Sequence, residues 1–176
     1  MVKEVKAIVD SSFWININRV DLVKELLDKF KLIFTFKVEK ELLINNNLFY
    51  VPKDIIVYNN LKKINLISVR NPLKIPLNLQ KELSRNSEEV NTIALALELN
   101  AVILIDNSAA VEYCIKNKMY VVNTINFIIY CYSTDVITYN QALEKINLLK
   151  PYIKQKYILD NLKLLEKIKG DKNGKR

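Results

Sequence analysis

The sequence predicts an α/β fold of three layers, with a central, mostly parallel sheet flanked by helices. Three observations predict it. Short β-like runs alternate with longer helical ones along the chain, as a parallel sheet with helical crossovers requires. One run, Ala101–Ile105, is continuously apolar, which suits a strand covered on both faces. The chain has 176 residues, half of them apolar, enough for one well-packed core and short for two. A single domain is therefore expected over residues 1–169.

The elements follow in order. Glu4–Val9 reads as a strand. From Phe13 to Phe30, the apolar positions Trp14, Ile17, Val20, Val23, Leu26, Leu27 and Phe30 recur every three or four residues, so one amphipathic helix is expected. Lys31–Phe36, dense in β-branched and aromatic residues, predicts a second strand. Val38–Ile44 predicts a short helix, stopped by Asn45-Asn46-Asn47, a run of the kind that replaces glycine in turns. A helix over Asp54–Lys62 and a strand over Asn65–Val69 come next. Arg70–Asn86, with Pro72 and Pro76, reads as irregular and long enough to overhang a site. The pattern then gives a helix at Ser87–Leu99, the strand Ala101–Ile105, a helix at Ser108–Lys116, a strand at Met119–Val122 and a helix from Thr124 to about Tyr132. Helices near Tyr139–Tyr152 and Gln155–Ile168 complete the body, and residues 170–176 are expected to form a basic, flexible tail. On the last helix, Ile158, Leu159, Leu162, Leu165 and Ile168 share one side, which fits docking onto the core or, alternatively, a homodimer or partner surface.

Composition excludes much chemistry. The chain has no histidine, which removes Ser-His-Asp and Cys-His nucleophiles, histidine-based RNA cleavage and histidine-containing zinc sites. Its two glycines, Gly170 and Gly174, both lie near the C-terminus, so glycine-rich phosphate loops and dinucleotide fingerprints are excluded. Cys114 and Cys131 sit in helix-like apolar stretches and read as small buried hydrophobes. Carboxylates, hydroxyls, amides and lysines remain, and carboxylates suit a hard cation such as Mg²⁺ or Mn²⁺. A net charge of +8 favours a polyanionic partner. No apolar run approaches the roughly 20 residues of a membrane span, and the N-terminus does not read as a signal peptide. A cytoplasmic location and no membrane association are expected.

Asp10 and Asp106 are each the first polar residue after a buried strand, with a helix following. In a parallel sheet, ligands bind beyond the carboxyl ends of the strands, so both acids would emerge at that edge. Singly, each also suits helix capping. Glu88 and Glu89 open a helix, where acids offset its dipole, and Asn86-x-x-Glu89 resembles a capping box. Glu41 alone reads as half of a surface pair with Lys37.

The order of these motifs resembles the PIN-domain family, in particular the toxin ribonucleases of VapC type. Glu89-Val90-Asn91-Thr92-Ile93-Ala94-Leu95-Ala96, followed by Leu104-Ile105-Asp106-Asn107, is similar to the family's Glu-x-x-Ala-Ile-Ala-Leu-Ala and Leu-Ile-Asp-Asp pattern. Ile8-Val9-Asp10-Ser11-Ser12, Val38-x-x-Glu41-Leu42 and Val121-Val122-Asn123-Thr124 are similar to its other segments, and the match spans about residues 5–153. The resemblance implies a PIN-like fold and a metal-dependent endoribonuclease, the toxin of a toxin–antitoxin pair. Its products would carry a 5′-phosphate and a 3′-hydroxyl. The implied catalytic acids are Asp10, Glu41, Glu89 and Asp106, of which Asp10, Glu89 and Asp106 hold Mg²⁺ or Mn²⁺; Ser12, Asn107 and Thr124 support them. Arg70, Lys74 and Arg85 are candidates for holding the RNA backbone. Two positions depart from the pattern: Asn107 replaces a second aspartate, and Glu88 replaces a glycine. Asn107 motivates an alternative, a catalytically weakened module that binds RNA or protein. A response-regulator-like pocket fits less well, because no strand-end lysine accompanies the acids.

Overall fold

The computed structural model describes residues 5–44, 51–83 and 87–174. Glu4, the Asn45–Asn47 turn, Arg85, Asn86, Lys175 and Arg176 lie outside the described residues.

Five strands form one parallel sheet, in the order β3-β2-β1-β4-β5. They are β1 (Val5–Val9), β2 (Phe30–Phe34), β3 (Ile67–Val69), β4 (Val102–Leu104) and β5 (Val121–Val122). Alternation along the strands divides the core in two. Ala7, Val9, Leu32, Phe34 and Leu104 face one side, and Ile8, Ile33 and Ile103 face the other. On the first face lie helices α1 (Ser11–Arg19), α2 (Val23–Leu27), α3 (Phe36–Ile44), α4 (Lys53–Lys63), α8 (Thr124–Ser133), α9 (Tyr139–Leu149) and α10 (Gln155–Asn173). The second face is covered by α5 (Leu77–Glu82), α6 (Glu88–Leu99) and α7 (Ser108–Lys116). These are the three layers the sequence predicts.

The first core is anchored by aromatics. Trp14 meets Phe34 edge-on at 5.3 Å between centroids, and Phe34 meets Tyr58 at 5.0 Å. The indole N–H donates to the Asp54 carbonyl at 3.0 Å, and the Tyr58 hydroxyl to Glu39 at 2.8 Å, so neither polar tip is left unmet. Cys114 and Cys131 are buried free thiols, and burial pushes both up to about 11. No helix among the described residues is long and apolar enough to cross a membrane.

Several boundaries differ from expectation. The strands β3, β4 and β5 are shorter than expected, and the helix expected near Tyr139–Tyr152 ends at Leu149, leaving Tyr152 in a turn. The single helix expected over Phe13–Phe30 is two helices, and Phe30 opens β2. The break is a Schellman end: Asp21 takes φ 51°, with Leu22 N–H donating to Ile17 O and Asp21 N–H to Asn18 O. Phe36, expected in the second strand, opens α3 instead, because the Thr35 hydroxyl accepts from Val38 N–H and starts a helix there. The stretch expected to be irregular contains α5, which follows Pro76 and is pinned by fully buried Leu79. The final helix runs past Ile168 to Asn173, so residues 170–173, expected in a flexible tail, are helical instead. Gly170 costs it about 1 kcal/mol relative to alanine, but Lys172 reaches the Tyr132 carbonyl and Asp135, tying the last turns to α8. Ile158 and Leu165 enter the core, Leu162 and Ile168 pack against it, and Leu159 stays half exposed.

The same Schellman pattern closes four other helices at Asn65, Asn100, Lys118 and Asp135, all with positive φ. With its two glycines confined to Gly170 and Gly174, the chain puts other side chains in the left-handed region at these helix ends. Asn and Asp tolerate it, whereas for lysine it costs about 1–2 kcal/mol. Lys118→Gly should therefore stabilise the protein by about 0.5–1 kcal/mol, net of glycine's greater unfolded-state entropy. Urea denaturation checks this: an unchanged midpoint would mean Lys118 is not strained.

Candidate functional site

Register decides what meets at the carboxyl edge. Val9 pairs with both Phe34 and Leu104, and Leu104 pairs with Val122, so the strands end level. Connections run from β1 outward through β2 to β3, whereas β4 lies on the other side of β1. The topological switch point thus falls between β1 and β4, where ligands bind in sheets of this kind. Asp10 and Asp106 emerge on its two sides. A cavity of about 510 Å³ opens there, lined by the carboxylates Asp10, Glu41, Glu88, Glu89 and Asp106.

Asp10 caps α1. Its Oδ2 accepts from Ser12 Oγ at 2.5 Å and from Ser12 N–H at 3.2 Å. That is half of the carboxylate; Oδ1 is buried and accepts no hydrogen bond. Burial raises the Asp10 pKa to about 7, with the charges of Glu89 and Glu41 adding to it and the Ser12 hydrogen bonds opposing it. Glu41, on α3, lines the same cavity, and its Oε2 is likewise buried without a partner.

Asp106 caps nothing at its own helix, because Asn107 does so, accepting from Ala109 and Ala110 N–H at 3.0 and 3.2 Å. The Asp106 carboxylate is held by other elements. Thr124 donates its N–H to Oδ1 at 2.7 Å and its hydroxyl to Oδ2 at 2.6 Å, and Asn16 Nδ2 donates to Oδ2 at 2.7 Å. Thr124 is fully buried. Thr124→Val preserves shape and the backbone donor but removes the hydroxyl's bond to a charged group. It should destabilise the protein by about 1–2 kcal/mol, read as an earlier urea midpoint; no shift would mean that hydroxyl is dispensable.

Glu88 and Glu89 both line the cavity. Glu88 accepts from Ser11 Oγ at 3.1 Å and Glu89 from Asn107 Nδ2 at 3.0 Å. Ser87 caps α6 through its side chain, accepting from Val90 N–H; Asn86, expected to start a capping box, lies outside the described residues. Asn107 thus does two things a second aspartate could not do together: it caps α7 with its carbonyl and holds Glu89 with its amide. Arg70 and Lys74 are not among the described residues lining the cavity, and Arg70 is paired with Glu98.

Asn16 escaped the sequence reading. It lies in a helix whose apolar period draws attention to its neighbours, yet it is buried and joins Asp106 to Arg19, whose guanidinium donates to its Oδ1. The available signal was a polar residue within an otherwise buried turn, six positions after a strand-end acid.

Among the described residues, no three of these acids converge closely enough to grip one ion directly. The unmet Asp10 Oδ1 and Glu41 Oε2 are nonetheless hard oxygen donors with no protein partner. The donor set therefore fits a divalent cation bound partly through water, as Mg²⁺ commonly is. A protein-family model described as PIN domain matches residues 6–167. No curated protein matches the chain.

Proposed function

Because this chain belongs to the PIN-domain family, whose members are in general nucleases, we propose that it is a metal-dependent endoribonuclease with its active site at the acidic cavity. One observation carries the reading. Two strand-end aspartates flank the switch point, and two carboxylates lining the cavity they share, Asp10 and Glu41, each keep a buried oxygen without a donor.

Asp10, Glu41, Glu89 and Asp106 would hold Mg²⁺ or Mn²⁺, which when bound supplies a hydroxide nucleophile near neutral pH and offsets charge on the phosphate oxygens. The protein's own part is orientation. Ser12 fixes Asp10 through Oδ2 and leaves Oδ1 without a donor. Thr124 and Asn16 fix Asp106. Asn107 holds Glu89 while leaving the cluster one charge short of an aspartate at that position. With no histidine in the chain, proton transfers fall to carboxylates and water.

Incubating the purified chain with RNA and Mn²⁺ tests this. Wild type should cut, and Asp10→Asn and Asp106→Asn should each lose on the order of 100-fold or more in rate. Cleavage that persists in both variants would sink the proposal. RNA binding with no metal-dependent cutting would favour the second reading, a binding module, which the neutral Asn107 supports. The resemblance to VapC-type proteins extends the proposal to a cytoplasmic toxin neutralised by an antitoxin. Expression should then arrest growth, and Asp10→Asn should relieve the arrest.

A further inference from the structure

The cavity wall contributed by the turn between α9 and α10 and the first turn of α10 carries different chemistry from the strand ends. Tyr152, Lys154 and Tyr157 line it, within Lys150-Pro151-Tyr152-Ile153-Lys154-Gln155-Lys156-Tyr157, a run of three lysines and two tyrosines with no acid. Among the described lining residues, Lys154 is the one cation, set against five carboxylates. Its Nζ donates to the neutral Ser108 hydroxyl at 3.2 Å, and it forms no ion pair with the described residues.

Tyr152 is 57 % exposed, so its ring has access to solvent. The Arg19 guanidinium covers one face, its central carbon 3.5 Å from the ring centroid. Arg19 also donates to Asn16, which donates to Asp106. Arg19 is a pure donor, so it fixes the Asn16 carbonyl toward itself and the amide toward Asp106. The ring is therefore braced from beneath by the same network that orients a candidate catalytic acid.

We propose that this turn is the substrate-binding rim: a nucleobase beside the scissile phosphate stacks on the Tyr152 ring, and Lys154 takes a neighbouring backbone phosphate. The inference rests on the ribonuclease reading and deepens it. A braced ring with solvent access suits a base of any identity, because every base has a π-face. The base must be unpaired and splayed out to reach it, so the rim selects single-stranded segments. The charge arrangement agrees. Phosphates approaching a cluster of carboxylates need a cation at the approach, and Lys154 stands on the cavity wall, whereas Arg70 is already paired with Glu98.

The test is fluorescence anisotropy of the full chain with a labelled single-stranded oligoribonucleotide in EDTA, so that nothing is cut. Tyr152→Ala should weaken binding on the order of 5- to 150-fold, the range that loss of one stacked base implies. Tyr152→Phe, which keeps the ring, should bind like wild type. Lys154→Gln should weaken binding and reduce the slope of log affinity against log salt by about 0.7. Tyr152→Ala should also retain the wild-type thermal response to Mn²⁺, which a merely misfolded variant would not. The rim is overturned if wild type does not bind, if Tyr152→Ala binds like wild type, or if duplex RNA binds as tightly as the single strand. The two readings separate cleanly. Loss of binding in Tyr152→Ala, with no preparation cutting RNA, keeps the rim and rejects the nuclease. Cleavage with unchanged KM in Tyr152→Ala does the reverse.

Discussion

Asp10→Asn should make the metal-free protein more stable at pH 8. Asp10 is 2 % exposed, and burial, with Glu89 and Glu41 adding, raises its pKa from 3.8 to about 7. In the folded state it holds a proton that the unfolded chain has released, so between these two values folding takes up a proton. Stability is then fully present below about 3.8, falls as pH rises, and is lost by about 7. A shift of this size corresponds to about 4 kcal/mol at most. Asparagine can keep the cap by accepting from Ser12 through its carbonyl, and it carries no charge to bury. The expected gain at pH 8 is about 2–4 kcal/mol, or on the order of 5–15 °C in melting temperature for a chain of this size. Below pH 4 the two curves should converge. Thermal melts in EDTA across pH 3–9 would show it, and a variant less stable than wild type at pH 8 would contradict the electrostatic account.

The second large effect is the response to metal. A cation that binds the native state alone stabilises it by about 2.7 kcal/mol at a hundredfold excess over Kd. In wild type at pH 8, Mn²⁺ should therefore raise the melting temperature, since it relieves the repulsion among Asp10, Glu41 and Glu89. At pH 5 most of the gain should vanish, because protonated Asp10 is a poor ligand. Asp10→Asn should lose it at both values. Together the two predictions cross: the variant is the more stable protein without metal and the unresponsive one with it, a stability–function trade-off of the usual direction. Equal gains in the two proteins would mean that Mn²⁺ binds elsewhere.

The layered fold was legible because strand and helix periods differ, and Ala101–Ile105 could hardly be anything but a buried strand. Juxtaposition at the carboxyl edge was legible for the same reason: Asp10 and Asp106 each follow a strand directly, and parallel strands in register bring such residues level. What the sequence hid has physical causes. The break at Asp21 was invisible because aspartate, not glycine, occupies the left-handed position, and the apolar period continues through it. The final helix outran its expected end because Lys172 gains tertiary contacts that offset Gly170. Leu79 anchors a helix too short to display a period. Asn16 and Tyr152 carry their meaning only in three dimensions, through Arg19, which no local pattern connects to either Asp106 or the α9–α10 turn. Arg70, one of the cations expected at the RNA backbone, is paired with Glu98, a partner 28 positions away that no local pattern announces.

The central claim is that a buried, protonatable carboxylate at the β1 end is the seat of a divalent cation. Calorimetric titration of the full chain with Mn²⁺ at pH 6, in buffers of differing ionisation enthalpy, counts the protons released on binding. Wild type should bind saturably and release about one proton per ion, as Asp10 gives up its own, and Asp10→Asn should release none. Saturable binding without proton release in wild type, or binding undiminished in Asp10→Asn, would contradict it.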